Sequence, residues 1–258
     1  MTIHDKLLDI VQTRGAGYLV LLDPDRKSPE SLAAFAKTCE AQGADGILIG
    51  GSLLLDDGFD RCVEAVKKAV RLPVLLFPGN GRQLSRHADA VLFMSLISGR
   101  NPHFLIGEQV TSAPIVRSLG LEPVSMAYLL VESGETTAAE FMSATRPLPR
   151  NKPEIAAAHA LAAEYLGMKL VYLEAGSGAK QSVPEILVTA VARTVSVPVI
   201  VGGGIRTPEE AAAKVKAGAS FVVTGNALEQ EGGPDLVRRL ADAVHASGVR
   251  ETGIRGTA

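Results

Sequence analysis

The sequence predicts an α/β fold: a single (β/α)8 barrel over residues 1–258 in which a loop replaces the helix after the third strand. Three observations lead there. Short β-branched or leucine-rich runs alternate with longer amphipathic, alanine-rich runs, as in parallel strands joined by helices. The alternation yields eight strands in 258 residues, the size of an eightfold barrel. Glycine-rich turns follow the sixth, seventh and eighth strands, whereas the competing doubly wound open sheet places its phosphate loop after the first.

Taken in order, the first strand is expected at residues 18–24 and is followed by a helix at 29–42. A strand at 46–50 leads to a helix at 59–70. The third strand, 74–77, is followed by residues 80–89, which are too short and polar for a full helix. Strand four at 90–95 feeds a helix at 102–119. After strand five, 121–129, comes the longest connection, 131–152, rich in Ser, Thr, Glu and Pro, which reads either as a lid or as a solvated insertion. A helix at 153–166 leads to strand six at 170–174 and a helix at 184–194. Strand seven at 199–201, a helix at 208–217, strand eight at 221–224 and a helix at 235–246 complete the chain. Four helices are expected to begin on a proline, at Ser28-Pro29, Asn101-Pro102, Val183-Pro184 and Thr207-Pro208.

Composition narrows the class of function. With 47% hydrophobic and 21% charged residues and a net charge of −2, the chain is ordinary globular protein with no electrostatic reason to bind nucleic acid. Cys39 and Cys62 lack metal or redox spacing and are expected as buried, reduced thiols. The start, MTIHDKLLDIVQTRG, has no signal-peptide core, and no apolar run approaches the roughly 20 residues of a membrane-spanning helix. A cytoplasmic location is expected.

In a barrel, the C-terminal strand ends face the active site. The first ends in Asp23-Pro24-Asp25, the second in Gly50-Gly51-Ser52, the third in Phe77-Pro78-Gly79-Asn80, the sixth in Glu174, the seventh in Gly202-Gly203-Gly204 and the eighth in Gly225-Asn226. One side is acidic and the other glycine-rich. Such a division suits a bipartite ligand, with backbone N–H groups cradling one phosphate while Asp23 and Ser52 hold a hard cation for a second anionic group. Each candidate also has a plain reading: Asp before Pro is a common turn residue, Gly202 to Gly204 make a tight turn, and Glu174 is a charge tolerated at a strand end. The triple glycine gains weight from Ile205-Arg206-Thr207-Pro208, a helix start whose free N–H groups favour an anion. Glu174, flanked by Tyr172, Leu173 and Ala175, is expected to aim into a pocket and do acid/base or hydroxyl-orienting work. His4, His87, His103, His159 and His245 show no metal-ligand spacing. Ser52 and Ser177 have no paired base and are expected only to hydrogen-bond.

These residues resemble a known family, the geranylgeranylglyceryl phosphate synthases and their bacterial prenylglyceryl phosphate relatives. The resemblance covers nearly the whole chain. It is carried by LLDPDRK (21–27), GGS (50–52), LFPGN (76–80), SLISGRNPHFLIG (95–107), YLEAGSGA (172–179), VGGGIRTPEEA (201–211) and TGNALE (224–229). The NPHFLIG segment looks like the branch shared by archaea and some bacteria. In that family a TIM barrel joins the C3 hydroxyl of sn-glycerol 1-phosphate to C1 of a polyprenyl diphosphate, releasing diphosphate. The resemblance implies Mg2+ at Asp23 and Ser52. It implies glycerol phosphate against Tyr172, Leu173, Glu174, Ala175, Gly176, Ser177, Gly178, Gly203, Gly204, Gly225 and Asn226, with Glu174 and Asp23 carrying catalysis. Some bacterial relatives carry Lys where this chain has Leu21, so a cationic role there passes to Arg26, Lys27 or Arg206, or is absent.

A prenyl chain needs an apolar groove, for which Leu53, Leu54, Leu55, Phe93, Met94, Leu96, Met126, Tyr128 and Leu129 are candidates, each equally at home in plain core packing. A homo-oligomer, dimer or larger, is expected. Two other readings stand beside the synthase: a sugar-phosphate isomerase or cyclase of the histidine-biosynthesis type, in which the fifth strand would need an acid and offers only Glu132, and a non-catalytic phosphate-binding barrel.

Overall fold

The structure, a computed structural model, describes residues 1–54, 57–228 and 233–248. Eight parallel strands, β1 Gly17–Leu22, β2 Gly46–Ile49, β3 Val74–Leu76, β4 Ala90–Leu96, β5 Glu122–Leu130, β6 Leu170–Glu174, β7 Val199–Gly202 and β8 Phe221–Thr224, close into a barrel with β1 paired to β8. The helices are α1 Ile3–Arg14, α2 Pro29–Ala41, α3 Phe59–Ala69, α4 Glu108–Leu119, α5 Ala138–Ser143, α6 Pro153–Tyr165, α7 Glu185–Thr194, α8 Pro208–Lys216 and α9 Gly233–Gly248.

The strands are apolar on both faces because each face is covered. Alternation sends Leu19, Leu48, Leu75, Leu92, Met126, Leu170 and Ile200 into the barrel. Their neighbours, among them Val20, Ile47, Leu129, Leu173 and Val201, pack outward against the helices. Cys39 and Cys62 are buried in that outer shell and form no disulfide.

Three features depart from the sequence reading. Residues 3–14, given no element above, form α1, which covers the N-terminal mouth. Ile3 and Leu7 join the inner cluster, and Glu122 at the start of β5 accepts the Ile3 and His4 amides at 2.6 and 3.0 Å. β1 stops at Leu22 rather than Pro24, because the Asp23 side chain accepts the Asp25 amide at 3.1 Å and caps a 3-10 turn over Pro24–Arg26. The expected helix from Pro102 begins as a π-turn, His103–Gly107, before α4 proper; π-turns recur at functional sites. The proline signal holds at Ser28 and Thr207, which cap their helices, while Pro184 is itself the cap of α7.

The connection from β3 to β4 carries no helix, as expected. Gln83, fully buried, holds it: Oε1 accepts the Gly51 and Gly79 amides at 3.1 and 3.2 Å, and Nε2 donates to the Gly51 carbonyl at 2.7 Å. The long connection after β5 is a folded roof rather than a loose insertion. Leu148 is buried and exchanges backbone bonds with the end of β5, donating to Leu130 at 2.8 Å and accepting from Glu132 at 2.9 Å. Thr137 caps α5, which lies over the C-terminal mouth.

Candidate active site

One cavity of about 1140 Å3 occupies the C-terminal mouth and takes lining from the ends of all eight strands. Its floor is aromatic. Register sets Tyr128 beside Tyr172, and their rings stack at 5.7 Å, with Phe77 stacked on Tyr172 at 5.2 Å. Burial, reinforced by the Glu174 carboxylate, pushes both phenols well above the usual tyrosine range, so they remain protonated.

Glu174 stands directly above this floor and is 5% exposed. Burial pushes its carboxyl up to about 7, opposed in part by the Gly176 amide, which donates to Oε1 at 2.6 Å, and by the Tyr172 hydroxyl. That hydroxyl is buried beside the acid. Glycine makes room for both groups. Register places Gly202 next to Glu174, and a β-carbon on Gly202 would overlap the Tyr172 hydroxyl. A β-carbon on Gly203, whose φ is +80°, would overlap the Glu174 carboxylate.

Around the acid the glycine-rich loops come together. Tyr172, Glu174, Ser177, Gly178, Gly203, Gly204, Gly225 and Asn226 all line the cavity, and Ser177 Oγ donates to Asn226 Oδ1 at 3.2 Å, joining the loops after β6 and β8. Leu173 and Ala175 do not line it: strand alternation turns their side chains into the outer core. Gly176 faces Thr137 of the roof. One expectation is corrected. The first turn of α8 offers no open amides at Arg206, Thr207 or Glu210, because the first two bond Glu210 Oε2 at 2.7 and 3.2 Å and the third bonds Thr207 Oγ1 at 3.2 Å.

Asp23, Asp25, Gly51 and Ser52 line the opposite wall. A β-carbon on Gly51 would lie 3.2 Å from Asp23 Oδ1, so the loops after β1 and β2 are in close contact. The described residues hold no group of three or more His, Cys, Asp or Glu side chains placed to bind a metal ion by themselves. This donor set fits magnesium, which takes one or two carboxylates and completes its shell with substrate phosphate and water, and would not suit an all-protein metal cage. Leu21 lines the cavity as an apolar residue. Lys27 lies over the Phe35 ring at 4.6 Å, the Arg26 side chain is outside the described residues, and Arg206 is occupied by backbone carbonyls.

Between these walls the cavity extends into an apolar arm. The missing helix after β3 leaves the arm lined by Leu84, Val91 and Phe93 on one side and by Phe104, Ser112, Ile115 and Val116 on the other, while Met94 faces the barrel interior. Of the groove candidates, Leu53, Phe93, Met94, Leu96 and Tyr128 line the cavity. Met126 lies in the inner core, Leu129 in the outer core and Leu54 against it, and Leu55 is outside the described residues. Glu108 closes the arm, accepting the Gly81 amide at 2.9 Å and pairing with His103 at 2.9 Å. Neither Gln83 nor Glu108 stands out in the sequence, because one polar residue in a loop and one acid at a helix start carry no periodic signal.

The model of the PcrB family matches residues 8–246. The chain belongs to that family. Geranylgeranylglyceryl phosphate synthase of Chitinophaga pinensis is 45% identical over 249 residues, covering 95% of this chain and 98% of that protein. The protein of the same name from Thermococcus kodakarensis is 49% identical over 244 residues, 94% of each. Among solved structures, the (S)-3-O-geranylgeranylglyceryl phosphate synthase of Thermoplasma acidophilum, in complex with its substrate sn-glycerol-1-phosphate, superposes with a TM-score of 0.90 at 35% identity, covering 95% of this chain and 99% of that one. This PcrB-family chain therefore shares the barrel over nearly its full length. No described helix is long and apolar enough to cross a membrane.

Proposed function

We propose that this chain is a magnesium-dependent prenyltransferase that forms an ether bond between the C3 hydroxyl of sn-glycerol 1-phosphate and C1 of a polyprenyl diphosphate, geranylgeranyl by preference, in ether phospholipid synthesis. The observation that carries the reading is the position of Glu174, a buried carboxyl lifted to about 7 between a glycine-lined wall and an apolar arm of the same cavity. The relatives' names and the glycerol phosphate bound by the Thermoplasma protein support the same assignment.

In the reaction the C3 oxygen attacks C1 of the allylic chain, the C1–oxygen bond to diphosphate breaks, and the hydroxyl proton passes to Glu174. A carboxylate whose pKa lies near working pH suits a general base. The loops bearing Ser177, Gly178, Gly203, Gly204, Gly225 and Asn226 hold the phosphate of the acceptor, so that its hydroxyl lies against Glu174. The protonated phenols of Tyr128 and Tyr172 supply donors to the glycerol oxygens. The arm between β4 and α4 takes the prenyl chain, and its apolar walls keep water from the electrophilic carbon. Magnesium bound at Asp23 and Ser52 would neutralise charge developing on the departing diphosphate.

The isomerase or cyclase reading loses ground in the geometry. β5 brings Tyr128 and Leu130 to the cavity, and Glu132 points away from it, exposed. We place the activity in the cytoplasm and assign the chain to a dimer or larger assembly, consistent with exposed Ile106 and Val110 on the outer face of the α4 region.

Purified protein incubated with magnesium, labelled glycerol 1-phosphate and prenyl diphosphates from C15 to C35 is expected to give an organic-extractable product; no product at any length refutes the assignment. Asp23→Asn is expected to remove that activity while calorimetry still shows glycerol phosphate binding. Equal loss of both would place Asp23 outside the cation site.

A further inference from the structure

We propose that Arg206 and Lys214 are positioning residues that lock the loop from β6 to α7 in the shape that receives phosphate, an inference that rests on the glycerol phosphate reading above. Arg206, an exposed cation beside a glycine turn, reads from sequence as an anion ligand. Its guanidinium is engaged elsewhere: Nη2 donates to the Ala179 carbonyl at 2.7 Å, and Nη1 to those of Gly204 at 3.1 Å and Lys180 at 3.5 Å. Lys214 reaches the same loop from α8. It is 2% exposed, and its ammonium donates to the Val183 carbonyl at 2.6 Å and to Glu185 Oε1 at 2.5 Å.

A buried ammonium is costly unless paired, and here its partners are the loop's own backbone and the first residue of α7. The two cations therefore pin the loop at residues 179 and 183, while Ser177 ties its tip to Asn226. A loop with glycines at φ +103° (Gly176) and +71° (Gly178) has much backbone freedom to lose. Fixing it before substrate arrives removes that ordering cost from binding. Glu174 sits on the strand and takes only the Gly176 amide from this loop, ahead of the residues that the clamp holds, so the clamp acts chiefly on acceptor binding.

The test uses Arg206→Ala, at an exposed position, and Lys214→Met as a second variant. Losing the clamp's hydrogen bonds is expected to raise KM for glycerol 1-phosphate about tenfold, with kcat within about twofold and KM for prenyl diphosphate unchanged. Amide hydrogen exchange of residues 175–183 in ligand-free protein is expected to quicken in both variants. Arg206→Lys is expected not to restore KM, because an ammonium cannot span several carbonyls. Unchanged ligand-free exchange together with rescue by lysine would show Arg206 to be a direct phosphate ligand and overturn the proposal, as would unaltered KM in both variants. If the wild-type protein binds no glycerol phosphate, the substrate reading fails, and ligand-free exchange at wild-type rates would then dispose of the clamp as well.

Discussion

Glu174 carries opposite pH dependences for activity and stability. Its carboxyl is lifted from 4.5 to about 7 by burial, so the folded protein holds the proton more tightly than the unfolded chain. The stability this contributes is fully present below about pH 4.5 and is lost as pH rises through about 7. A general base must instead be ionised, so kcat/KM is expected to rise with pH through the same window. Glu174→Gln is expected to abolish the ascending limb and lower turnover by about a hundredfold or more. It should also leave Tm at pH 8 equal to or above that of the wild type, because the buried charge is gone. A retained ascending limb in the variant would assign the base elsewhere. LVYLEAGSG made this acid legible in sequence, since an apolar strand running into Gly and Ser marks a pocket. It did not reveal that Gly202 and Gly203 are needed to make room for the acid and the phenol below it, a contact between strands.

Among the elements, the helixless connection from β3 to β4 does the most to shape the site. Its brevity and polarity were plain in residues 80–89, but the tie that replaces the helix was not. Gln83 satisfies both backbone groups of Gly51 and the amide of Gly79, and so fixes the loops after β2 and β3 against each other. Gln83→Leu leaves those buried groups without partners and is expected to cost about 2–4 kcal/mol in urea unfolding. Activity should fall with Ser52 displaced, while glycerol phosphate binding on the far wall persists. A stability unchanged within about 0.5 kcal/mol would show that water replaces the side chain. α1 was missed for a related reason: it precedes the first strand, outside the βα alternation, and its value lies in capping the barrel mouth with two buried residues, Ile3 and Leu7.

For the molecule as a whole, the closed barrel gathers an acid from β6, glycines from β7 and β8, Asp23 from the end of β1 and an apolar arm beside α4 into one volume. The arm belongs to no single element, so its length is set by how α4 packs against β4. Ser112→Phe, from a buried position on that wall, is expected to shift the preferred prenyl diphosphate to a shorter chain in a competition assay, with KM for glycerol phosphate unchanged. An unchanged length preference would route the chain elsewhere. The sequence by itself determined the eight alternating units, the missing helix and the strand-end candidates, because hydrophobic periodicity, proline and glycine act locally. Only the tertiary structure decided that Leu173 and Ala175 turn away from the cavity, that the amides opening α8 are already capped, and that Arg206 and Lys214 grip a loop. Each of these depends on which groups closure of the barrel brings within a few ångströms, and residues about 30 positions apart, such as Lys214 and Val183, leave no local trace of meeting.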